Sequence, residues 1–201
     1  MTHTAIRYKS YADYLESDLG SEGNFRLLSN GEVIALPPED EENYFIADEF
    51  AEVLKRLLKN RRLVKTASTE LQVHPVGDNR VNRAPDLIVL RPEHLDLIAE
   101  NKKNAVLLGM PAPVFVAEVV SSGGESSDNY RRDYEWKRQQ YEGWKIPEYW
   151  IIDRHRQQVV VLILTEGAYK AHAYRDSDLM TSLVFPTLTL SVDKLLSGRI
   201  L

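Results

Sequence analysis

The stretch that decides the fold is PAPVFVAEVVSS, residues 111–122. From Val114 to Val120 the chain is apolar and rich in β-branched residues, and Pro and Ser bound the run. This pattern is typical of a strand that is buried on both faces. Glu118 lies inside the run, and a buried carboxylate is costly unless it is paired, hydrogen-bonded or bound to a metal. The sequence therefore predicts that Glu118 has a partner in the folded chain.

Other elements can be predicted on both sides of this strand. Asn30-Gly31 is a strong hairpin signal, because both residues tolerate positive φ. A helix between two strands favours a crossover connection and a mixed sheet. In chain order we predict a hairpin at 24–38, a helix at 40–60, strands at 63–75, 81–90 and 114–120, a helix at 126–145, a strand at 146–153, a hairpin at 158–174, and a short strand with a helical turn at 183–198.

The overall composition restricts the class of protein. A length of 201 residues favours a single domain over 1–201, and the absence of Cys excludes disulfides, thiolate nucleophiles and Cys-based zinc sites. A net charge of −5 counts against a constitutive, sequence-blind nucleic-acid binder. The N-terminus has no apolar core of signal-peptide length, and no run is long enough for a membrane span. We expect a soluble, cytoplasmic protein with no membrane partner.

Ionisable residues stand where apolar ones would be easier to explain. Asp86 lies between Pro85 and an apolar strand, Glu118 lies in the next strand, and Lys137 lies in the second long helix. Two carboxylates on neighbouring strands form a site for a hard cation such as Mg²⁺. A nearby lysine can stabilise the charge of a phosphoryl transition state. Glu70, in the first predicted strand, is a possible further acidic member.

Each of these residues also has a structural interpretation. An Asp after Pro commonly starts a strand or a turn. Lys137 shares a helical stripe with Tyr130, Tyr134 and Tyr141, which suggests that it faces inward, but a lysine at the edge of a stripe can also extend its ammonium to water. Glu70 is expected more often as an exposed strand residue than as part of a site.

Three segments together resemble a known family. RAPDLIVL (83–90), VFVAEVVSSG (114–123) and DYEWKRQQYEGWKIPEYWIID (133–153) are similar to a bacterial family of restriction endonuclease-like proteins of unknown function, within the PD-(D/E)XK nuclease superfamily. The resemblance covers nearly the whole chain. It implies an α/β (α+β) restriction endonuclease-like fold, with a central mixed β-sheet flanked by helices and a nuclease core at about 41–153. The N-terminal and C-terminal hairpins are additions to that core.

The resemblance also implies a role for each residue. Asp86 matches the Asp of the Pro-Asp motif and Glu118 the acidic residue of the (D/E)XK motif, and both would bind Mg²⁺ or Mn²⁺ together with the main-chain carbonyl of Val119. The superfamily's lysine belongs two residues after Glu118, where this chain has Val120. Lys137 matches the position to which the family moves that lysine. One turn further along the helix, Gln140 is an accessory candidate.

Two functions from different classes follow. The first is a Mg²⁺-dependent endonuclease that hydrolyses phosphodiester bonds in DNA, with Asp86, Glu118 and Lys137 as its catalytic residues. The second is a non-catalytic interaction or regulatory module on a nuclease scaffold, which the acidic net charge favours slightly. A homodimer is expected, because restriction-type nucleases often pair two sites and the long apolar C-terminal hairpin would leave an exposed edge. The two functions are distinguished by whether the Lys137 ammonium lies within reach of both carboxylates in the folded chain.

Overall fold

The computed structural model describes residues 7–22, 25–38, 40–101 and 103–200. Its helices are α1 (Tyr11–Leu15), α2 (Asp18–Glu22), α3 (Glu41–Leu57), α4 (Pro92–Asn101), α5 (Asp128–Arg131), α6 (Lys137–Gly143) and α7 (Val192–Leu196), with a 3₁₀ turn at Arg61–Leu63 and a π-helical segment at Arg132–Trp136. Its strands are β1 (Phe25–Leu27), β2 (Val33–Ala35), β3 (Val64–Lys65), β4 (Glu70–Gln72), β5 (Asn82–Arg83), β6 (Leu87–Val89), β7 (Ala105–Val106), β8 (Phe115–Val119), β9 (Glu148–Asp153), β10 (Gln158–Thr165), β11 (Ala168–Arg175), β12 (Leu179–Met180) and β13 (Leu190–Ser191).

A six-stranded mixed sheet forms the centre of the fold, in the order β11-β10-β9-β8-β6-β3. Only β8 and β9 pair in parallel within it, and the other neighbours are antiparallel. A parallel pair needs a crossover connection, and the helical stretch α5 to α6 lies in the chain between these two strands. The predicted α/β class, the mixed sheet flanked by helices and both hairpins are confirmed.

The core is built on both sides of β8 by apolar and aromatic side chains. All five residues of β8 are buried, as the unbroken apolar run predicts. Phe50 of α3 stacks on Trp150 of β9 with ring centroids 5.3 Å apart, and Phe115 contacts both rings edge-on. Asp40 is the N-cap of helix α3, and its carboxylate accepts hydrogen bonds from the Glu42 and Asn43 N–H groups. This packing covers one face of the sheet and leaves its strand ends for the site.

Several elements differ from the prediction in detail. The predicted strand at 63–75 is two short strands, β3 in the central sheet and β4 in a separate three-stranded sheet with β5 and β7. The predicted strand at 81–90 is also divided: β5 joins the small sheet, and β6 enters the central sheet after Pro85. Helix α4 and the strands β7 and β12 were not predicted. Short strands that switch sheets carry too few residues for a period to be recognised.

The two predicted hairpins have different surroundings. The first turns through Gly31, whose φ of +85° suits glycine, and a Cβ there would clash with the Tyr8 carbonyl. The second, β10–β11, extends the central sheet, because β10 pairs with β9 over six residue pairs. None of the helices within the described ranges has the length and hydropathy needed to span a membrane.

Candidate active site

The strand register brings Asp86 and Glu118 to the same end of the sheet. Leu87 pairs with Ala117 in the antiparallel β6–β8 ladder, so continuing the ladder by one residue sets Asp86 opposite Glu118. Directly opposed residues in such a ladder point to the same face. The Asp86 Oδ2 accepts a hydrogen bond from the Val119 N–H at 2.7 Å, which fixes that carboxylate beside the end of β8. Both side chains line one cavity of about 260 Å³.

Glu118 has two partners, and both come from the helical stretch that follows β8. Its side chain is fully buried. The Tyr141 hydroxyl donates to Oε1 at 2.5 Å, and the Lys137 ammonium lies 2.8 Å from Oε2. The Oε2 contact does not have the angles of a hydrogen bond, so this buried oxygen keeps lone-pair capacity. Glu118 therefore has the partners that the sequence predicts for a buried carboxylate, and they are a lysine and a tyrosine.

Lys137 lies between two buried carboxylates. Its Nζ is 2.7 Å from Oδ1 of Asp133, one turn earlier, as well as 2.8 Å from Glu118. Burial lowers the pKa of Lys137, but the negative charges of Asp133 and Glu118 outweigh this and hold it above its ordinary value. Lys137 is therefore an ammonium at neutral pH. It does not extend to bulk water, because its side chain is only 13% exposed.

A π-helical segment sets the orientation of these helix residues. Between α5 and α6 the Lys137 N–H donates to the Arg132 carbonyl, five residues back instead of four. Such π-bulges are rare and often mark functional sites. Asp133 lies inside the segment and is 1% exposed, and its Oδ2 has no hydrogen-bond partner in the described structure. Sequence reasoning missed Asp133, although its spacing of four residues from Lys137 was a usable signal.

The structure does not bring Glu70 into this cavity. Glu70 is buried, which corrects the expectation of an exposed strand residue. It lies in the small sheet, where its carboxylate accepts hydrogen bonds from Tyr11 at 2.7 Å and Asn82 at 2.8 Å. Burial raises the pKa of Glu70. Its link to the cavity is Arg26, a lining residue whose Nη1 lies 3.9 Å from Glu70 Oε1.

Gln140 also acts through an arginine. Its Oε1 accepts a hydrogen bond from Arg83 Nε at 2.8 Å, and its amide donates to the His74 carbonyl at 3.0 Å. Arg83 lines the cavity, whereas Gln140 does not. At the position where the superfamily carries its lysine, Val120 is fully buried in the hydrophobic core and is not a lining residue. Val119 lines the cavity through the end of β8.

The oxygen donors present fit a hard divalent cation. Asp86 and Glu118 supply two carboxylates, and one or two are enough for Mg²⁺, which keeps several waters or takes substrate oxygens. Within the ranges that the structure describes, no cluster of three or more His, Cys, Asp or Glu residues forms a closed metal site. A buried Glu118 oxygen with lone-pair capacity beside a cavity is what an open two-carboxylate site requires.

Comparison with known proteins agrees with the fold. The chain is similar to the crystal structure of a putative nuclease belonging to DUF820 from Anabaena variabilis ATCC 29413, with 19% identity, a TM-score of 0.61, and coverage of 89% of this chain and 93% of that one. No curated protein matches the sequence. The family Uma2, described as "Putative restriction endonuclease", matches residues 11–193. Family and fold support a nuclease-type function, and restriction endonuclease-like families generally use divalent metals. With a match over most of its length, this chain belongs to the Uma2 family.

Proposed function

We propose that this protein is a Mg²⁺-dependent endonuclease that hydrolyses phosphodiester bonds in DNA. The observation that carries the proposal is the convergence of Asp86, Glu118 and Lys137 on one cavity, with the Lys137 ammonium 2.8 Å from Glu118. A structural ion pair would not need the second carboxylate, Asp86, on the neighbouring strand at the same cavity. This arrangement supports phosphoryl transfer, in which catalysis is mostly positioning and charge stabilisation.

Asp86 and Glu118 would hold the cation, with the Val119 carbonyl as a third protein ligand. A bound Mg²⁺ supplies a Lewis acid and an activated water at neutral pH. Asp86 is already fixed by the Val119 N–H, so one end of the site is ordered before any ion binds. Mn²⁺ accepts the same oxygen ligands. Tyr141 orients Glu118 and stays protonated, because burial and the Glu118 charge raise its pKa well above its usual value.

Lys137 acts as a fixed positive charge in this proposal. Its raised pKa rules it out as a general base at neutral pH, since it is already protonated. An ammonium beside the carboxylate pair can stabilise the negative charge that develops on the phosphate oxygens. Asp133 holds Lys137 from the other side, so the lysine keeps one partner when Glu118 is engaged with a cation.

The two accessory candidates have indirect roles. Gln140 accepts a hydrogen bond from Arg83, and Glu70 lies within ion-pair distance of Arg26. Both arginines line the cavity. We therefore treat Gln140 and Glu70 as positioning residues that keep cations in place around the substrate. Neither contributes a ligand to the Asp86–Glu118 pair in this proposal.

A cleavage assay on closed circular plasmid tests the function. Such DNA has no ends, so any linear or nicked product with Mg²⁺ or Mn²⁺ indicates endonuclease action. We expect wild type to cleave, and Asp86→Asn to lose cleavage because the cation loses a ligand. Asp96→Asn removes the same charge from an exposed helix position and should cleave like wild type.

Two outcomes would contradict the proposal. Wild type that cleaves no DNA with any divalent cation, or Asp86→Asn that cleaves as fast as wild type, would favour the non-catalytic interaction module. A single-stranded RNA substrate in parallel separates a failure of the DNA assignment from a failure of nuclease chemistry.

We also propose a homodimer and a cytoplasmic location. Strand β11 forms the outer edge of the central sheet, and an unpaired strand edge is a common site of association. A twofold pair would present two sites to the two strands of a duplex. Analytical ultracentrifugation at micromolar concentration should give a dimer, and a single monomeric species would contradict this assembly.

A further inference from the structure

The cavity that contains Asp86 and Glu118 also has a basic wall. Four arginines line it, and with Lys137 they give five cationic lining residues against three acidic ones, Asp40, Asp86 and Glu118; the arginines are Arg26, Arg80, Arg83 and Arg132. The whole chain has a net charge of −5. Cationic groups therefore outnumber acidic ones among the lining residues, while Glu70, Asp78 and Asp133 pair with these cations from outside the lining. A lining cation can bind an anion where its donors are not already used by the protein.

Two of the four arginines already use most of their N–H donors in hydrogen bonds to other residues of the protein. Arg83 is 2% exposed, pairs with Asp78 through both terminal nitrogens at 2.8 and 3.0 Å, and donates its Nε–H to Gln140. Arg132 donates to Asn129 at 3.0 Å and to Ser121 at 3.2 Å. These two side chains provide fixed positive charge but few open donors.

Arg80 differs from these two arginines because its terminal nitrogens are not used in hydrogen bonds within the described residues. Its buried Nε lies 3.1 Å from Asp78 Oδ2 without making a hydrogen bond, and the side chain is 17% exposed. Neither terminal nitrogen of Arg80 has a hydrogen-bond partner among the residues that the structure describes. Burial lowers the pKa of Arg80 to about 10, and the positive charges of Arg83 and Arg132 add to this effect against the opposing charge of Asp78. An incoming anion would offset this accumulation of positive charge.

The shape of the open group indicates the ligand. A guanidinium presents two terminal nitrogens in a planar fork, which matches the oxygens of a phosphate in a bidentate pair. The ion pair with Asp78 and the low exposure of the side chain restrict the guanidinium, so less side-chain freedom is lost on binding. We propose that Arg80 binds a phosphodiester group of the DNA next to the scissile phosphodiester. Arg83 and Arg132 add positive potential at the same place. This inference rests on the proposed function, since the same cavity contains the carboxylate pair.

A binding assay without metal separates this site from the chemistry. Fluorescence anisotropy with a labelled 16-base-pair duplex in EDTA measures affinity while cleavage is suppressed. We expect Arg80→Gln to weaken binding about tenfold, as for the loss of a charge-assisted hydrogen-bonded pair. The slope of log affinity against log salt should also fall by about one, equally on two unrelated sequences, because one phosphate contact is lost.

Two further variants control for charge and folding. Arg61→Gln removes the same charge from an exposed side chain outside the cavity lining, and it should bind within twofold of wild type. Arg80→Lys keeps the charge but loses the fork, and it should give an intermediate affinity. Because Arg80→Lys retains the Asp78 partner, it reports on the site even where the neutral variant folds poorly.

The possible outcomes are distinct. Arg80-dependent duplex binding by a wild type that cleaves nothing would support the phosphate site and refute the nuclease proposal. Unchanged affinity and salt slope in both Arg80 variants would overturn the site and leave the nuclease proposal standing. Arg80-dependent binding of tripolyphosphate, in calorimetry, by a protein that does not bind DNA would assign the site to a free phosphate and overturn the DNA assignment.

Discussion

Two buried glutamates on neighbouring strands of the central sheet have opposite surroundings. Glu118 of β8 and Glu148 of β9 are both fully buried, and the two strands run parallel. Glu148 pairs with Phe115 at the start of β8, so it lies three residue pairs away from Glu118 along the ladder. The two carboxylates therefore occupy different levels of one sheet, with the same burial and the same residue type.

Their hydrogen-bond partners differ in kind. Glu148 accepts from the Trp150 indole at 2.6 Å and from the Leu183 and Val184 N–H groups at 2.7 and 3.0 Å. These donors are neutral, and two of them belong to the backbone. Glu118 instead has a tyrosine and an ammonium; its Oε2 makes no hydrogen bond, and the residue lines the cavity. A carboxylate with complete, fixed donors is structural, whereas one with exchangeable partners beside a cavity can take a ligand.

The sharpest way to break this comparison is to neutralise each glutamate in turn. We expect Glu118→Gln to lower cleavage about 10³-fold, on the scale of a lost electrostatic contact in the transition state. Glu148→Gln should keep the wild-type rate per folded molecule, because Glu148 does not line the cavity. Single-turnover rates, normalised by the folded fraction from circular dichroism, measure both. Equal losses in the two variants would show that burial alone determines the effect.

Much of this difference follows from patterns that are visible in the sequence. The apolar run of β8 predicts a buried strand, and the Pro-Asp entrance to β6 predicts a second acidic group near it. Their antiparallel register has no local signal in the sequence, because the connection over residues 90–114 contains α4 and β7. The helix stripe that carries Lys137 predicts its inward direction, and the structure agrees by placing it against Glu118.

The remainder depends on contacts that have no local period. Glu148 reads as an ordinary strand-entry residue, since its donors come from residues 183 and 184, far along the chain. The burial of Glu70 depends on Tyr11 and on a small sheet assembled from three separate segments. The role of Asp133 depends on a π-helical segment, which shifts the side-chain directions that a regular helix would give. Tertiary packing decides each of these.

Removing the Lys137 ammonium tests whether it is the main partner of Glu118. Lys137→Ala leaves Glu118 buried without a cation and Asp133 with only the longer contact to Arg132 Nε at 3.4 Å, so we expect a loss of about 3 kcal/mol in the free energy of unfolding. Urea denaturation measures this. The double variant Lys137→Ala with Glu118→Gln also removes the unpaired buried charge of Glu118, so it should recover part of the lost free energy of unfolding. If Lys137→Ala is as stable as wild type, the ammonium is not the main partner of Glu118.

Metal-linked stability tests which carboxylate takes a ligand. A cation that binds only the folded state adds about 2.7 kcal/mol at a hundredfold excess over its dissociation constant. Mg²⁺ or Mn²⁺ should therefore raise the melting temperature of wild type and of Glu148→Gln by equal amounts. Asp86→Asn and Glu118→Gln should show no increase, since each removes a ligand. A metal effect that survives in Glu118→Gln would place the cation elsewhere.

The smallest expected effect concerns the structural glutamate itself. In Glu148→Gln an amide NH₂ replaces one of two oxygens that together accept three hydrogen bonds, so it must face either the Trp150 N–H or the Leu183 and Val184 N–H groups. Leaving buried donors unpaired in this way should cost about 1–2 kcal/mol of unfolding free energy. Glu118→Gln should cost less, because Lys137 keeps Asp133 as a partner and the cluster loses a buried negative charge. Urea denaturation of both variants in EDTA gives the two values under identical conditions. A larger loss in Glu118→Gln than in Glu148→Gln would reverse the assignment, making Glu118 the structural carboxylate of the sheet.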